Sequence, residues 1–172
     1  MERLQLKDYF TIANALFGFL AIALVALGAL DYFGGVVFVL LAVLMDFLDG
    51  KVARLTLSSN ELGKQLDSLA DMVSFGVAPA FLVLSLVARP VVFGPSFASL
   101  ALLGAVVYVA CGLVRLARFN LQKEKGVFYG LPIPVAAVVL LLPAPFAGQY
   151  SFVLLLVLGG AMVSGFKLKK VG

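Results

Sequence analysis

Four aspartates carry the chemistry that this sequence could do. Asp46, Asp49, Asp67 and Asp71 stand inside long apolar runs, where a carboxylate costs roughly 2.5–3.5 kcal/mol on membrane-insertion scales. Spacing sorts them onto faces. Asp46, Asp49, Gly50 and Ala53 fall at i, i+3, i+4 and i+7, one face of a helix. Asp67, Asp71 and Ser74 fall at i, i+4 and i+7, one face of the next. Carboxylates gathered in a poorly solvated place repel strongly. Divalent cations offset both costs, and two such ions would neutralise four charges. Oxygen-only ligands suit a hard ion, Mg2+ or Mn2+.

Two other readings use the same residues. The aspartates could be structural, paired with Lys51, Arg54 and Lys64 nearby. They could also line a cation or proton path, as intramembrane carboxylates do in transporters. Gly50, Ala53 and Gly63 are small either to leave room for a ligand or to let helices pack closely. Spacing alone does not choose between these two.

Absences narrow the chemistry further. The chain has no histidine, so a general base must be a carboxylate, a lysine, a tyrosine or the lone thiol. Common zinc sites draw on His or several Cys, and neither is on offer. Cys111 is the one cysteine; it allows no intrachain disulfide and reads as a small packing residue.

The elements that must hold these residues are membrane helices. Of 172 residues, 63% are hydrophobic and only 13% charged, against about 25% charged in soluble domains. The apolar residues fall into runs that span a bilayer at about 20 residues each. They lack the period-2 alternation of barrel strands. The expected fold is all-α and integral to the membrane, with six transmembrane helices at about 9–30, 33–57, 61–88, 96–116, 132–147 and 151–166. No soluble domain, linker or cleaved signal is read, so residues 1–172 form a single membrane domain.

Lysine and arginine set the direction. Six spans put both termini and two of the loops on one side. That side takes twelve of the thirteen cationic residues, all but Arg89. The positive-inside rule makes it cytoplasmic. The tail residues Lys167, Lys169 and Lys170 then anchor topology near anionic headgroups. Thirteen apolar or glycine residues, 33–45, precede Asp46 and cover roughly 20 Å of helix. Both aspartate pairs therefore lie in the cytoplasmic half of the bilayer.

Read together, the residues spell Asp46-x2-Asp49-Gly50-x2-Ala53-Arg54-x8-Gly63-x3-Asp67-x3-Asp71. This resembles the signature of the CDP-alcohol phosphatidyltransferase family at all eight fixed positions, across 26 residues. The six-span reading is also similar to the family core. The resemblance implies transfer of a lipid phosphoryl group from a CDP-lipid to an alcohol, with release of CMP. It implies Asp46, Asp49 and Asp67 as metal ligands. Asp71 borders the metals and is the implied general base. Gly50, Ala53, Arg54 and Gly63 match positions that accommodate the CDP group. Asn14, in Thr11-Ile12-Ala13-Asn14, resembles the first-helix residue that helps bind the nucleotide. Two Mg2+ or Mn2+ ions and a homodimer are further implications.

Three other segments are similar to the phosphatidylserine synthase branch of that family. They are Asp71-Met72-Val73-Ser74-Phe75-Gly76-Val77-Ala78-Pro79-Ala80, Arg115-Leu116-Ala117-Arg118-Phe119-Asn120 and Phe128-Tyr129-Gly130-Leu131-Pro132-Ile133-Pro134. L-serine is then the expected acceptor, with CDP-diacylglycerol or CDP-archaeol as donor. Arg115 and Arg118 would bind the serine carboxylate, with Ser74 and Asn120 adding neutral hydrogen bonds. Glycerol phosphate or inositol phosphate is the alternative acceptor, and a divalent-cation transporter the alternative of another class. No nucleic-acid partner is expected. A prokaryotic plasma membrane is the expected location, with the site facing the cytoplasm.

Overall fold

The computed structural model describes residues 6–56, 61–87, 95–121, 127–165 and 167–169. Arg3, Arg89, Lys170, the turn at 58–60 and the polar segment 123–126 lie outside these residues. So do the side chains of Ala53, Arg54, Phe128, Tyr129, Lys167 and Lys169.

Among the described residues, helices joined by short turns make up all but one small ribbon. In order come α1 (Leu6–Ala26), α2 (Tyr32–Thr56), α3 (Glu61–Asp71), a π-helix (Met72–Val77) and α4 (Ala78–Val87). Then follow α5 (Pro95–Leu121), β1 (Val127–Tyr129), α6 (Ile133–Leu141), α7 (Ala144–Ala147), α8 (Ser151–Val163) and β2 (Lys167–Lys169). β1 and β2 pair antiparallel, with Phe128 opposite Leu168. Sequence reading missed this ribbon, because three-residue strands carry no periodicity.

Among the described residues, five helical stretches are long and apolar enough to cross a membrane: Lys7–Ala26, Tyr32–Val52, Glu61–Val87, Phe97–Leu121 and Ala144–Val163. The remaining expected span, 132–147, is two helices of nine and four residues. Pro143 follows the first of them; it lacks an N–H and ends the run.

The first span also stops earlier than its apolar run suggests. Gly28 takes a positive φ of 70°. Ala29 N–H bonds Leu24 O at 2.9 Å and Gly28 N–H bonds Val25 O at 3.1 Å. That pairing is a Schellman cap, so Leu27 to Leu30 form a turn although they are apolar. Asp31 then opens α2 by accepting from Gly34 N–H at 2.8 Å, a helix N-cap.

The continuous stretch α3–π–α4 is the centre of the bundle. Its apolar window is 67% buried, against 22–28% for the other four. α1 packs along α2, and α5 along α8, around it. The outer faces carry exposed Leu16, Phe19, Phe47, Leu103 and Val106. A continuous apolar surface of this kind suits lipid rather than water. Cys111 packs beside the core, its Sγ next to Gly159.

Two features lock α1 against the centre near the aspartates. A Cβ on Gly18 would sit 2.6 Å from Ser74 Cα, so only glycine lets the two backbones approach this closely. Ser74 Oγ then donates to Asn14 O at 2.8 Å. The π-helix begins directly after Asp71. Within it, Phe75 O accepts from Tyr108 Oη of α5 at 3.1 Å.

Candidate metal and transfer site

Asp46 and Asp49 come from the C-terminal half of α2, and Asp67 and Asp71 from α3. α1 lies across both. Asp46, Asp49 and Asp67 converge: each offers a carboxylate oxygen, and these oxygens all lie within 4.8 Å of one another. Two oxygens held by one hard cation at about 2.0–2.6 Å can be no more than about 4–5 Å apart. The donors are all oxygen and anionic, and their separations match. The three residues thus fit a hard divalent ion.

Asp71 stands beside this group rather than within it. It interacts electrostatically with Asp46, Asp67 and Asp49, and its Oδ1 accepts from Asn14 Nδ2 at 3.3 Å. Expected to face one another across α2 and α3, the four carboxylates do so as a set of three with a neighbour.

The hydrogen-bond partners seen on Asp49 and Asp71 are neutral. Thr11 Oγ1 donates to Asp49 Oδ2 at 2.7 Å. Lys7 acts on Asp49 and Asp67 through space. The structural reading required cations in contact with the aspartates. Lys64 instead donates to Asn120 O at 2.9 Å, and Lys51 is exposed.

Gly50 decides between room and packing. A Cβ built there meets nothing within 4 Å, so no neighbouring helix demands a glycine. The space over Gly50 opens next to Asp49. Gly63 is buried in α3. Gly50→Ala is expected to keep or raise thermal stability, since alanine favours helix by about 0.5–1 kcal/mol. It should still lower transfer activity by about 10- to 100-fold, the effect of about 1–3 kcal/mol of overpacking against substrate. Equal activity of the two proteins would exclude a ligand from this space.

The residues expected around the acceptor scatter. Ser74 is fully buried and its hydroxyl is spent on α1. Asn120 exchanges hydrogen bonds with Ser68, its Nδ2 donating to Oγ at 2.9 Å. Arg118 is exposed and donates from Nη1 to Val163 O at 3.2 Å, the last carbonyl of α8. Arg115 is different. It interacts electrostatically with Asp71, and its Nε is buried with no hydrogen-bond partner.

Thr11, Ser68, Lys7 and the buried Asp8 were not singled out from sequence. The signal for Thr11 was present. A threonine one turn before Asn14, in an otherwise apolar helix, shares its face. An apolar groove of about 340 Å3 also starts at Thr11. It runs between α1 and the central helix past Ala15, Phe19, Leu66, Ala70 and Val73.

A family model described as CDP-alcohol phosphatidyltransferase matches residues 4–166. The chain belongs to the CDP-alcohol phosphatidyltransferase family. It is therefore a membrane-associated transferase of a family that works with divalent metal, and its acidic cluster fits that chemistry. Among curated relatives is the CDP-diacylglycerol–serine O-phosphatidyltransferase of Methanocaldococcus jannaschii. It is 36% identical over 169 residues, covering 97% of this chain and 75% of that protein. The archaetidylserine synthase of Methanothermobacter thermautotrophicus is 43% identical over 138 residues, 78% of this chain and 55% of that protein. The CDP-diacylglycerol–serine O-phosphatidyltransferase of Bacillus subtilis is 36% identical over 133 residues, 77% of this chain and 71% of that protein. The chain thus spans between about half and three quarters of the length of these relatives.

Proposed function

We propose that the chain transfers the phosphatidyl or archaetidyl group of a CDP-lipid to the hydroxyl of L-serine, releasing CMP. The observation that carries this reading is the convergence of Asp46, Asp49 and Asp67, with Asp71 alongside, inside membrane helices. The serine-specific names of the relatives support the choice of acceptor.

Asp46, Asp49 and Asp67 would hold two divalent ions, Mg2+ or Mn2+. Bound there, such ions neutralise the diphosphate and the charge that builds on departing CMP. Asp71 accepts the proton of the serine hydroxyl, and Asn14 holds that carboxylate in place. The serine oxygen forms the new bond to the lipid-side phosphorus. The bond from that phosphorus to the oxygen of CMP breaks, and CMP leaves with its electron pair. The space over Gly50 admits the CDP group, with Ala53, Arg54 and Gly63 nearby in sequence. Arg115 meets the serine carboxylate with its unfilled donor. Ser74 serves the site through Asn14, and Asn120 through Ser68; Arg118 keeps further donors beyond the one given to α8. Hydrocarbon tails can leave along the groove that starts at Thr11. Positioning and charge neutralisation of this kind are the main demands of phosphoryl-type transfer.

α6, ahead of the stretch Ala144–Val163, is read as a sixth membrane helix. Both termini then share the cytoplasmic side with the aspartates, in a prokaryotic plasma membrane. Residues 1–172 act as one domain, and the working form is a homodimer.

The test is an acceptor panel. Purified protein receives CDP-diacylglycerol or CDP-archaeol with Mn2+ and either serine, glycerol phosphate or inositol phosphate. CMP and a serine-containing lipid are expected with serine alone. Product only with a phosphorylated alcohol would overturn the acceptor. Movement of Mn2+ into liposomes without CMP release would overturn the enzyme.

A further inference from the structure

The first helix was expected to touch nucleotide through Asn14, yet its shortest contact with the site is made by another residue. Thr11 is 3% exposed. Its hydroxyl lies 2.7 Å from Asp49 Oδ2 and 3.3 Å from Lys7 O, one turn back. A threonine hydroxyl has a single proton to donate. The shorter contact, to a carboxylate, is the charge-assisted one and takes it. Asp49 Oδ2 is thereby engaged from a different helix, 38 residues away in sequence. The same carboxylate contributes an oxygen to the cluster with Asp46 and Asp67.

We infer that Thr11 is a positioning residue, which fixes the orientation of the Asp49 carboxylate so that one oxygen is presented to a divalent cation. An aspartate side chain turns about two bonds. Gly50 N–H acts on the Asp49 carboxylate from its own helix, and the buried hydroxyl on α1 holds it from another. The neighbouring contacts place that donor. Gly18 and Ser74 press α1 against the central helix, and Ser74 Oγ holds Asn14 O at 2.8 Å. Asn14 Nδ2 reaches Asp71 in turn. One face of α1 thus orients an aspartate on each of the other two helices, and Thr11 serves the one inside the cluster. Partners that orient a ligand from behind in this way are worth about 10- to 100-fold in metal affinity.

The inference rests on the metal-site reading above, and the experiment separates the two. Mn2+ affinity is measured on the full-length purified chain without substrate, by calorimetry or by the loss of free-ion EPR signal. Thr11→Val keeps the shape and removes the hydroxyl; it should weaken binding by about 10-fold or more. Thr11→Ser keeps the hydroxyl and should bind within about threefold of wild type. Ser85→Ala removes a hydroxyl bonded only to its own helix, at Leu82 O, and should leave affinity unchanged. Should Thr11→Val fail to fold, Thr11→Ala replaces it with the same expectation. Thr11→Val binding Mn2+ as tightly as wild type would refute the inference, as would Thr11→Ser binding as weakly as Thr11→Val. Wild-type protein that binds no Mn2+ would overturn the metal site itself, and the inference with it.

Discussion

Asp71→Asn is expected to cut turnover by about 10²–10⁴-fold, the usual contribution of a positioned general base, while Mn2+ binding stays within a few-fold of wild type. The geometry separates the two effects. Asp46, Asp49 and Asp67 present oxygens within 4.8 Å of one another without Asp71, so the cluster keeps its donors. Asparagine has nearly the same shape, and its amide oxygen can still accept from Asn14 Nδ2, which now lies 3.3 Å from Asp71 Oδ1. What is lost is the ability to take a proton. With no histidine in the chain, the site offers few substitutes. The loss should fall on kcat, with the KM values for donor and serine little changed. Single-turnover release of CMP with saturating serine measures it directly. A variant as fast as wild type would remove Asp71 from the proton transfer. A variant that is slow only because it no longer binds Mn2+ would make Asp71 a ligand instead.

The parts of this site that were legible in the sequence are those governed by helical spacing. Asp46 and Asp49 at i, i+3, and Asp67 and Asp71 at i, i+4, had to share faces once the runs were read as helices. Partners across helices were not legible. Thr11 reaches Asp49 over 38 residues and Asn14 reaches Asp71 over 57, and no local rule encodes a separation of that size. The acceptor residues show the same limit. Ser74 and Asn120 were expected to meet the acceptor, but their polar atoms are taken by Asn14 O and by Ser68. Element ends were misjudged where backbone chemistry overrode hydropathy. Leu27 to Leu30 are apolar and still form a turn, because Gly28 adopts a left-handed conformation that closes α1. Pro143 likewise splits a run that composition alone would join. The π-helix after Asp71 has no sequence signature. The close pass of Gly18 and the hydrogen bond that the Phe75 carbonyl accepts from Tyr108 are intelligible only when α1 and α5 are seen against it.

Asp67→Asn should abolish measurable transfer and, in the absence of metal, make the protein more stable. Both outcomes come from one quantity. Three carboxylate oxygens within 4.8 Å repel by about 3.5 kcal/mol for each ionised pair at an effective dielectric of about 20. In the metal-free protein Lys7 offsets only part of that repulsion, through space, because Thr11 and Asn14 are neutral partners and Lys64 is turned to Asn120. Removing one charge relieves two of the three pairs. With metal present the order reverses. Wild type gains about 2.7 kcal/mol at a cation concentration 100 times its Kd, and the variant, short of one ligand, gains much less. Its activity falls by about 10³-fold or more, since a bound cation supplies several kcal/mol of charge stabilisation and each 1.36 kcal/mol is worth about tenfold. Melting curves of both proteins in detergent, with chelator and with saturating Mn2+, should therefore cross. A variant less stable than wild type in chelator would mean that the aspartates are held by compensating contacts and not by strain. An equal gain from Mn2+ in both proteins would move the metal away from Asp67. Crossing curves would make the charge on these three residues a cost that the fold carries for the sake of the cation it binds, the kind of local instability expected at a working site.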